Sequence, residues 1–228
     1  MENNTNSRND SPQQLAMWHI HSRWVWFVVS VIYAVGLAGF LIPAWHGVFV
    51  WLIPFNILFA FVILLLGEEK LTPAKGGLFL ICFLFGYVYE LAGTKTGLVF
   101  GEYTYGDALG IKILDVPLLI GVNWFFMVYA SLAISARITA SRWGIVLLAP
   151  AFMLLYDYFL EPFAIQNGMW HWSDGNVPPQ NYVAWYAGGL LLCTVAVLGK
   201  FDFRNRFAAG LFVVQALFFA VLFMCGKS

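Results

Sequence analysis

Long apolar segments separated by short polar stretches dominate the pattern of the chain. Seven of them come close to the roughly 20 residues that a helix needs to cross a bilayer. They cover approximately residues 23–42, 47–66, 76–93, 115–136, 143–163, 182–199 and 207–225. The pattern predicts an all-α, polytopic integral membrane protein with about seven transmembrane helices, in a single domain over residues 19–228.

The segment before the first apolar run, residues 1–18, is polar at its start. Its opening stretch, MENNTNSRNDSPQQ, has no apolar centre and no small-residue cleavage pattern, which a secretory signal peptide would have. We expect a short disordered tail.

Composition supports the membrane assignment and narrows the possible partners. Hydrophobic residues make up 61% of the 228 positions and charged residues 11%, whereas a soluble domain has roughly half and a quarter. The net charge of zero gives no electrostatic reason to expect nucleic acid. The three cysteines lie in different apolar runs without a pairing partner, so they are expected to be small buried hydrophobes, and no metal site is predicted.

The distribution of basic residues predicts the orientation of the chain, because cytoplasmic loops hold the excess of Lys and Arg. Seven spans place nine of the twelve basic residues on the side of the N-terminus and three, Lys95, Lys112 and Lys227, on the other. The N-terminus is therefore expected in the cytoplasm and the C-terminus outside. The expected location is a cell membrane, the plasma membrane of a prokaryote.

Two outer loops, residues 94–114 and 164–181, are longer than the basic cytoplasmic connectors and mix glycine, proline, aromatic and acidic residues. Loops of this kind are more often functional than accidental. Glycines in the first loop permit tight turns, so we expect it to fold over a cavity mouth as a lid, with Glu102, Tyr103 and Tyr105 presented inward.

Four acids lie at similar depth near the outer ends of the predicted helices, namely Glu90, Asp115, Asp157 and Glu161. A carboxylate in hydrocarbon costs about 2.5–3.5 kcal/mol on insertion scales and usually faces the interior of a bundle with a functional partner. Asn123, two turns deeper than Asp115, is expected to line the same cavity. The alternative is that these carboxylates only reach the wet interface.

Asp157 and Glu161 are separated by four residues, so they share one helix face. Two like charges in a setting of low dielectric constant are not expected to ionise together. One of them would then hold the proton that a general acid needs, and the spacing does not say which. Pro162 is expected to bend or end the helix directly afterwards.

Aromatic residues gather near the acids. Trp170 and Trp172 flank His171 in the second outer loop, and Trp124 begins an aromatic run in the fourth span. Indole faces stabilise cations and line apolar grooves, so these residues are candidates for binding substrate, with His171 as a polar contact at the rim. The other tryptophans are expected to be interfacial anchors.

Four stretches between Gly86 and Trp172 resemble the family of carotenoid biosynthesis membrane proteins that includes the carotenoid 1,2-hydratases. They are YELAGTKTG, FGEYTYGDALG, DVPLLIGVNWF and DYFLEPFAIQNGMWHW, in that order. The resemblance implies a hydro-lyase of isoprenoid metabolism that needs no cofactor. Its partners would be a carotenoid of 40 or more carbons and membrane lipid.

The implied reaction adds water to the terminal C1=C2 double bond of an acyclic carotenoid end. An acid protonates C2, a tertiary cation forms at C1, and a positioned water attacks it. The hypothesis casts Asp157 as general acid assisted by Glu161, with Glu90 and Asp115 orienting the water.

Other functions remain open from the sequence. A cyclase like the lycopene cyclases would protonate the same bond and let an internal double bond attack the cation. Retinal binding is disfavoured because the last span has no lysine for a Schiff base. A transporter would usually show repeated halves, and binding of a carotenoid without chemistry would not require four acids at one depth.

Overall fold

The computed structural model describes residues 12–226, with side chains from Ser22 onward. Residues 1–11 of the predicted polar tail, together with Lys227 of the charge count, lie outside this range. In the described part the chain is mostly helical. The helices are α1 (Pro12–Leu41), α2 (Pro43–Trp51), α3 (Ile53–Leu66), α4 (Pro73–Thr96), α5 (Leu119–Ile138), α6 (Arg142–Gln166), α7 (Pro179–Leu198) and α8 (Ala208–Met224).

Several of these helices are long and apolar enough to make this a multi-pass membrane protein. Among the described residues five qualify by length and composition, within α1, α4, α5, α6 and α7, and a sixth if α2 and α3 form one bent span. The predicted number of about seven is therefore not confirmed. The predicted second span is broken at Leu52, where the two helices meet at 58° before Pro54, and α8 has 17 residues.

Helix α5 lies at the centre of the bundle and packs against α3, α4, α6, α7 and α8. Its residues 124–133 are all buried. Helix α6 continues through Pro162 to Gln166, so of the two effects expected of that proline, a bend or an end of the helix, the end does not occur.

The loops after α4 and α6, together with the start of the predicted fourth span, contain short strands that the sequence pattern did not predict. These are β1 (Tyr103–Tyr105), β2 (Lys112–Ile113), β3 (Val116–Pro117) and β4 (Trp170–Trp172). Strands β1 and β4 pair antiparallel, with Tyr103 opposite Trp172 and Tyr105 opposite Trp170. We call this pair of strands the ribbon; it joins the loop after α4 to the loop after α6.

A polar cluster connects the loops at the end of the bundle opposite the ribbon. The Asn205 carboxamide oxygen accepts hydrogen bonds from the backbone N–H groups of Phe207 and Ala208 at the start of α8, at 2.8 and 2.9 Å. Its nitrogen donates to the Leu64 carbonyl at 2.8 Å and to the Glu68 carboxylate. Lys75 forms an ion pair with Glu68. The ends of α3, α4 and α8 are thereby held together, far along the bundle from the ribbon.

Trp124 of α5 fits between two neighbouring helices because glycines face it. A Cβ atom added at Gly86 of α4 would lie 2.3 Å from Trp124 Cγ, and one at Gly188 of α7 would lie 3.0 Å from Trp124 Cη2. These two positions admit the indole, which extends toward the end of α4 that carries Glu90.

Replacing Gly86 with alanine is expected to destabilise the bundle by about 1–3 kcal/mol, because the added methyl group overlaps the root of a rigid indole. Thermal unfolding of the purified protein in detergent measures this as a fall in the midpoint of several degrees. Gly77→Ala on the same helix is the matched control, since a Cβ there meets nothing within 4 Å. Equal midpoints for the two variants would contradict the packing argument.

Candidate active site

Three of the four predicted acids come together near the ribbon. Glu90 of α4 and Asp157 and Glu161 of α6 are 3%, 1% and 2% exposed. The i,i+4 spacing in α6 places its two acids on one face, as expected, and that face is directed toward α7, where Asn181 lies. Burial of three carboxyl groups in an apolar bundle requires a full set of hydrogen-bond donors around them.

Three aromatic side chains hold Glu90. Its Oε2 accepts hydrogen bonds from the phenols of Tyr103 at 2.5 Å and Tyr105 at 2.8 Å, and its Oε1 accepts from Trp124 Nε1 at 2.9 Å. Burial, reinforced by the nearby Glu90 charge, raises the pKa of both Tyr103 and Tyr105. The phenols therefore keep their protons and remain donors to the carboxylate.

Glu161 is held in the same manner from the other strand. Its Oε2 accepts from Trp170 Nε1 at 2.9 Å and Trp172 Nε1 at 3.1 Å, and its Oε1 accepts from Asn181 Nδ2 at 3.1 Å. Each of these two glutamates thus has three donors. An ionised carboxylate only accepts hydrogen bonds, so the donors around both glutamates suit the charged form, whereas their burial disfavours it.

Asp157 has a much poorer set of donors. Its Oδ2 accepts from Asn181 Nδ2 at 3.1 Å, and its Oδ1 has no partner within the described residues. A single amide nitrogen therefore bridges Asp157 and Glu161. Asp157 is the acid whose surroundings are best suited to a bound proton, because a protonated carboxyl group needs fewer donors.

The ribbon explains why so many donors reach the carboxylates. Alternate side chains of a strand point to opposite faces, so Tyr103, Tyr105, Trp170 and Trp172 share the inward face. The opposite face carries the pair Thr104 and His171, and both of these residues are exposed.

A small cavity of about 20 Å³ lies between Glu90 and Glu161 and is also lined by Asn181 and Trp185. A single water molecule needs about 10–15 Å³ measured in this way, together with polar partners. The space between the two carboxylates therefore matches one water molecule in both size and polarity.

A much larger cavity of about 280 Å³ adjoins it. The lining comes from α1, α2, α3, α5, α6 and α8 and is mostly aliphatic and aromatic. Ile120 and Trp170 border both cavities, so the apolar space ends where the polar space begins. Asn123 lines this large cavity and not the small one beside Glu90 and Glu161, in contrast to the expectation that it shares a cavity with the acids, and it lies one helical turn from Ile120.

Three predicted site residues lie elsewhere. Asp115 is on the turn between β2 and β3, with a positive φ of 70°, because α5 begins only at Leu119. Its side chain is 86% exposed and pairs with Lys95 at 2.7 Å, and the hydrogen bond and charge of Lys95 lower the pKa of Asp115. Glu102 and His171 are exposed because strand alternation turns them away from the carboxylates.

Two residues of the site were not predicted. Asn181, 2% exposed, bridges the acids of α6, and Trp185 stacks on Trp124 with ring centroids 4.4 Å apart and planes 3° apart. They are separated by four residues in the first turns of α7, so they share a face. An amide followed at this spacing by an indole at the start of an apolar helix was the available signal.

Comparison with known proteins now identifies the family. Residues 49–226 match the model of the family described as carotenoid biosynthesis protein. Over 193 residues the chain is 32% identical to the bisanhydrobacterioruberin hydratase of Haloarcula japonica, and the alignment covers 78% of this chain.

The match covers 64% of the relative's length, which is less than two thirds. No solved structure matches the chain significantly. Since the family match extends over most of the chain, from α2 to α8, this protein belongs to the carotenoid biosynthesis protein family.

Proposed function

We propose that this protein is a carotenoid 1,2-hydratase, which adds water to the terminal C1=C2 double bond of an acyclic carotenoid end without a cofactor. The observation that carries the proposal is the water-sized cavity between Glu90 and Glu161, at the end of a large apolar cavity. Family membership and the name of the hydratase relative support the same chemistry.

The carotenoid enters sideways from the bilayer. Ile32, Leu52 and Phe55 line the large cavity and are also 37%, 37% and 51% exposed. The cavity therefore reaches the outer surface of the bundle beside the break between α2 and α3. The end of the polyene lies in the apolar space, with its terminal double bond near Ile120 and Trp170.

The Asp157–Glu161 pair supplies the proton. Asp157 holds it at rest because it has the poorest set of donors, and Glu161 is the member of the pair on the cavity wall. The proton passes from Asp157 to the Glu161 carboxylate, and Glu161 transfers it to C2, which leaves a tertiary cation at C1 and both acids of the pair ionised. The indole faces of Trp170 and Trp185, which border the small cavity, stabilise this cation.

The water between the glutamates completes the reaction. Its oxygen bonds to C1, and Glu90 accepts the proton that it loses, so one hydrogen and one hydroxyl group are added overall. Return of that proton to the Asp157–Glu161 pair restores the starting state. Asp115 has no part in this scheme.

Asp157→Asn, Glu161→Gln and Glu90→Gln are each expected to reduce hydration by about 10²–10⁴-fold, the usual contribution of a general acid or base. The measurement is mass analysis of pigments from a lycopene-producing host, where the wild-type protein adds one water per modified end. Glu102→Gln is the matched control because Glu102 is exposed. Undiminished hydration by Asp157→Asn would remove the proton assignment, and a cyclic product without added water would favour the cyclase.

Asn181→Leu keeps the branched shape and the number of non-hydrogen atoms of the side chain and removes the nitrogen that Asp157 and Glu161 share. We expect a fall in kcat of at least about tenfold with little change in KM, since the loss affects the acids and leaves the apolar cavity intact. A shifted pH profile of kcat would accompany it. An unchanged pH profile with a lowered thermal midpoint would indicate that Asn181 is only structural.

We also propose the seven-span topology in a prokaryotic plasma membrane, with the N-terminus in the cytoplasm, α2 and α3 as one bent span and α8 as the last. The excess of basic residues at the end of the bundle opposite the ribbon supports it. The ribbon and the site would then lie toward the outer face.

Labelling of single cysteines in intact cells tests this orientation. In a Cys225→Ser background, Asp174→Cys beside the ribbon is expected to react with a membrane-impermeant maleimide, and Ala140→Cys between α5 and α6 only after lysis. Cys82 and Cys193 are buried, so the Cys225→Ser protein without an added cysteine is expected to remain unlabelled and serves as the background control. The reverse pattern would invert the topology.

A further inference from the structure

A second group of polar residues lines the large cavity, apart from the carboxylates. We call it the polar belt; it consists of Tyr33, Asn56, Asn123, Tyr156 and Gln215. The five residues come from five different helices, α1, α3, α5, α6 and α8. Polar side chains inside a membrane bundle are costly and mark functional sites. The proposed chemistry at the carboxylates uses none of them.

Hydrogen bonds hold part of the belt in place. Tyr156 Oη donates to Gln215 Oε1 at 2.7 Å, and Gln215 Nε2 donates to Tyr33 Oη at 2.5 Å. Tyr33 also bonds the side chain of Asn56. Tyr33, Tyr156 and Gln215 are all buried. Their hydrogen bonds therefore hold this part of the belt in one position on the cavity wall.

Asn123 is the member of the belt whose carboxamide is available to a ligand. Its carboxamide lines the cavity and makes no hydrogen bond to any group in the part of the chain that the structure describes. A carboxamide offers two donors and one acceptor. A pure hydrocarbon in the cavity would cover this group without pairing it, which is unfavourable.

The belt lies close to the reacting end of the substrate. Asn123 is three residues from Ile120, which borders both cavities, and Tyr156 is five residues from Glu161. At a rise of 1.5 Å per residue these separations are about 4.5 and 7.5 Å along the helix axes. A group bound at the belt would therefore be a few bonds from the double bond that takes up water.

We propose that the polar belt binds an oxygen substituent of the polyene, a hydroxyl or keto group close to the reacting end. The enzyme then selects oxygenated acyclic ends over plain hydrocarbon ends. This inference rests on the proposed hydratase function and adds the class of substrate to it. Apolar pockets fix the orientation of a ligand through a few polar groups of this kind, and a site built to pair an oxygen discriminates against the analogue that lacks it.

The test compares two substrates with the purified protein, lycopene and a lycopene derivative with one hydroxyl group at C4 of an otherwise intact end. We expect kcat/KM to be about tenfold higher for the hydroxylated end, the factor that one well-made hydrogen bond supplies. Asn123→Leu and Tyr33→Phe are each expected to reduce this ratio toward one. Tyr158→Phe is the matched control, because Tyr158 is on the same helix as Tyr156 but 48% exposed.

The outcomes separate this inference from the hydratase proposal. Equal kcat/KM for the two substrates would overturn the proposal that the belt binds an oxygen substituent. A ratio that neither belt variant alters would do the same and would indicate that the belt holds only water. If the wild-type protein hydrates neither polyene, quenching of tryptophan fluorescence gives the two affinities directly. If the hydroxylated polyene binds more tightly and Tyr33→Phe loses this difference, oxygen binding at the belt is supported although the hydratase proposal fails. Equal affinities would overturn both proposals.

Discussion

The structure around the site depends on the burial of carboxylates in a bundle whose backbone groups are already engaged. Helices in a membrane satisfy their own N–H and C=O groups internally, so they leave no backbone donors for Glu90 and Glu161. The donors must come from side chains, and indole, phenol and carboxamide groups provide them. This need explains why aromatic residues with a polar atom, rather than phenylalanines, surround the acids.

The same need accounts for the form of the loops after α4 and α6. Four of the six donors to the two glutamates belong to the ribbon, and a strand delivers alternate side chains to one face. Pairing two strands from distant loops therefore brings two tyrosines to Glu90 and two tryptophans to Glu161 at once. The ribbon thereby supplies most of the donors to the carboxylates and joins the two loops; a lid over the cavity mouth stays a prediction.

Sequence reasoning located the acids better than it located their surroundings. The cost of burying charge pointed to Glu90, and helical spacing placed Asp157 and Glu161 on one face. The prediction for Asp115 is wrong because the apolar run begins at that residue, whereas α5 begins four residues later. The three-residue strands are too short to show a period, and their pairing joins residues far apart in the chain. The break at Leu52 and the short α8 are invisible to a hydropathy pattern, which measures only apolar length.

The contact between the two cavities bears on the difference between hydration and cyclisation. Both reactions would pass through the same tertiary cation, and the outcome depends on which nucleophile lies beside C1. The small cavity beside Glu90 and Glu161 has space for a single water molecule and adjoins the apolar cavity at Ile120 and Trp170. An internal double bond of the same polyene would reach C1 within the apolar cavity of about 280 Å³, where the polyene lies, so the small cavity takes no part in ring closure. The proposed hydration therefore depends on a nucleophile from the polar cavity, and the choice between alcohol and ring depends on whether a water beside Glu90 and Glu161 reaches C1 before the polyene folds on itself.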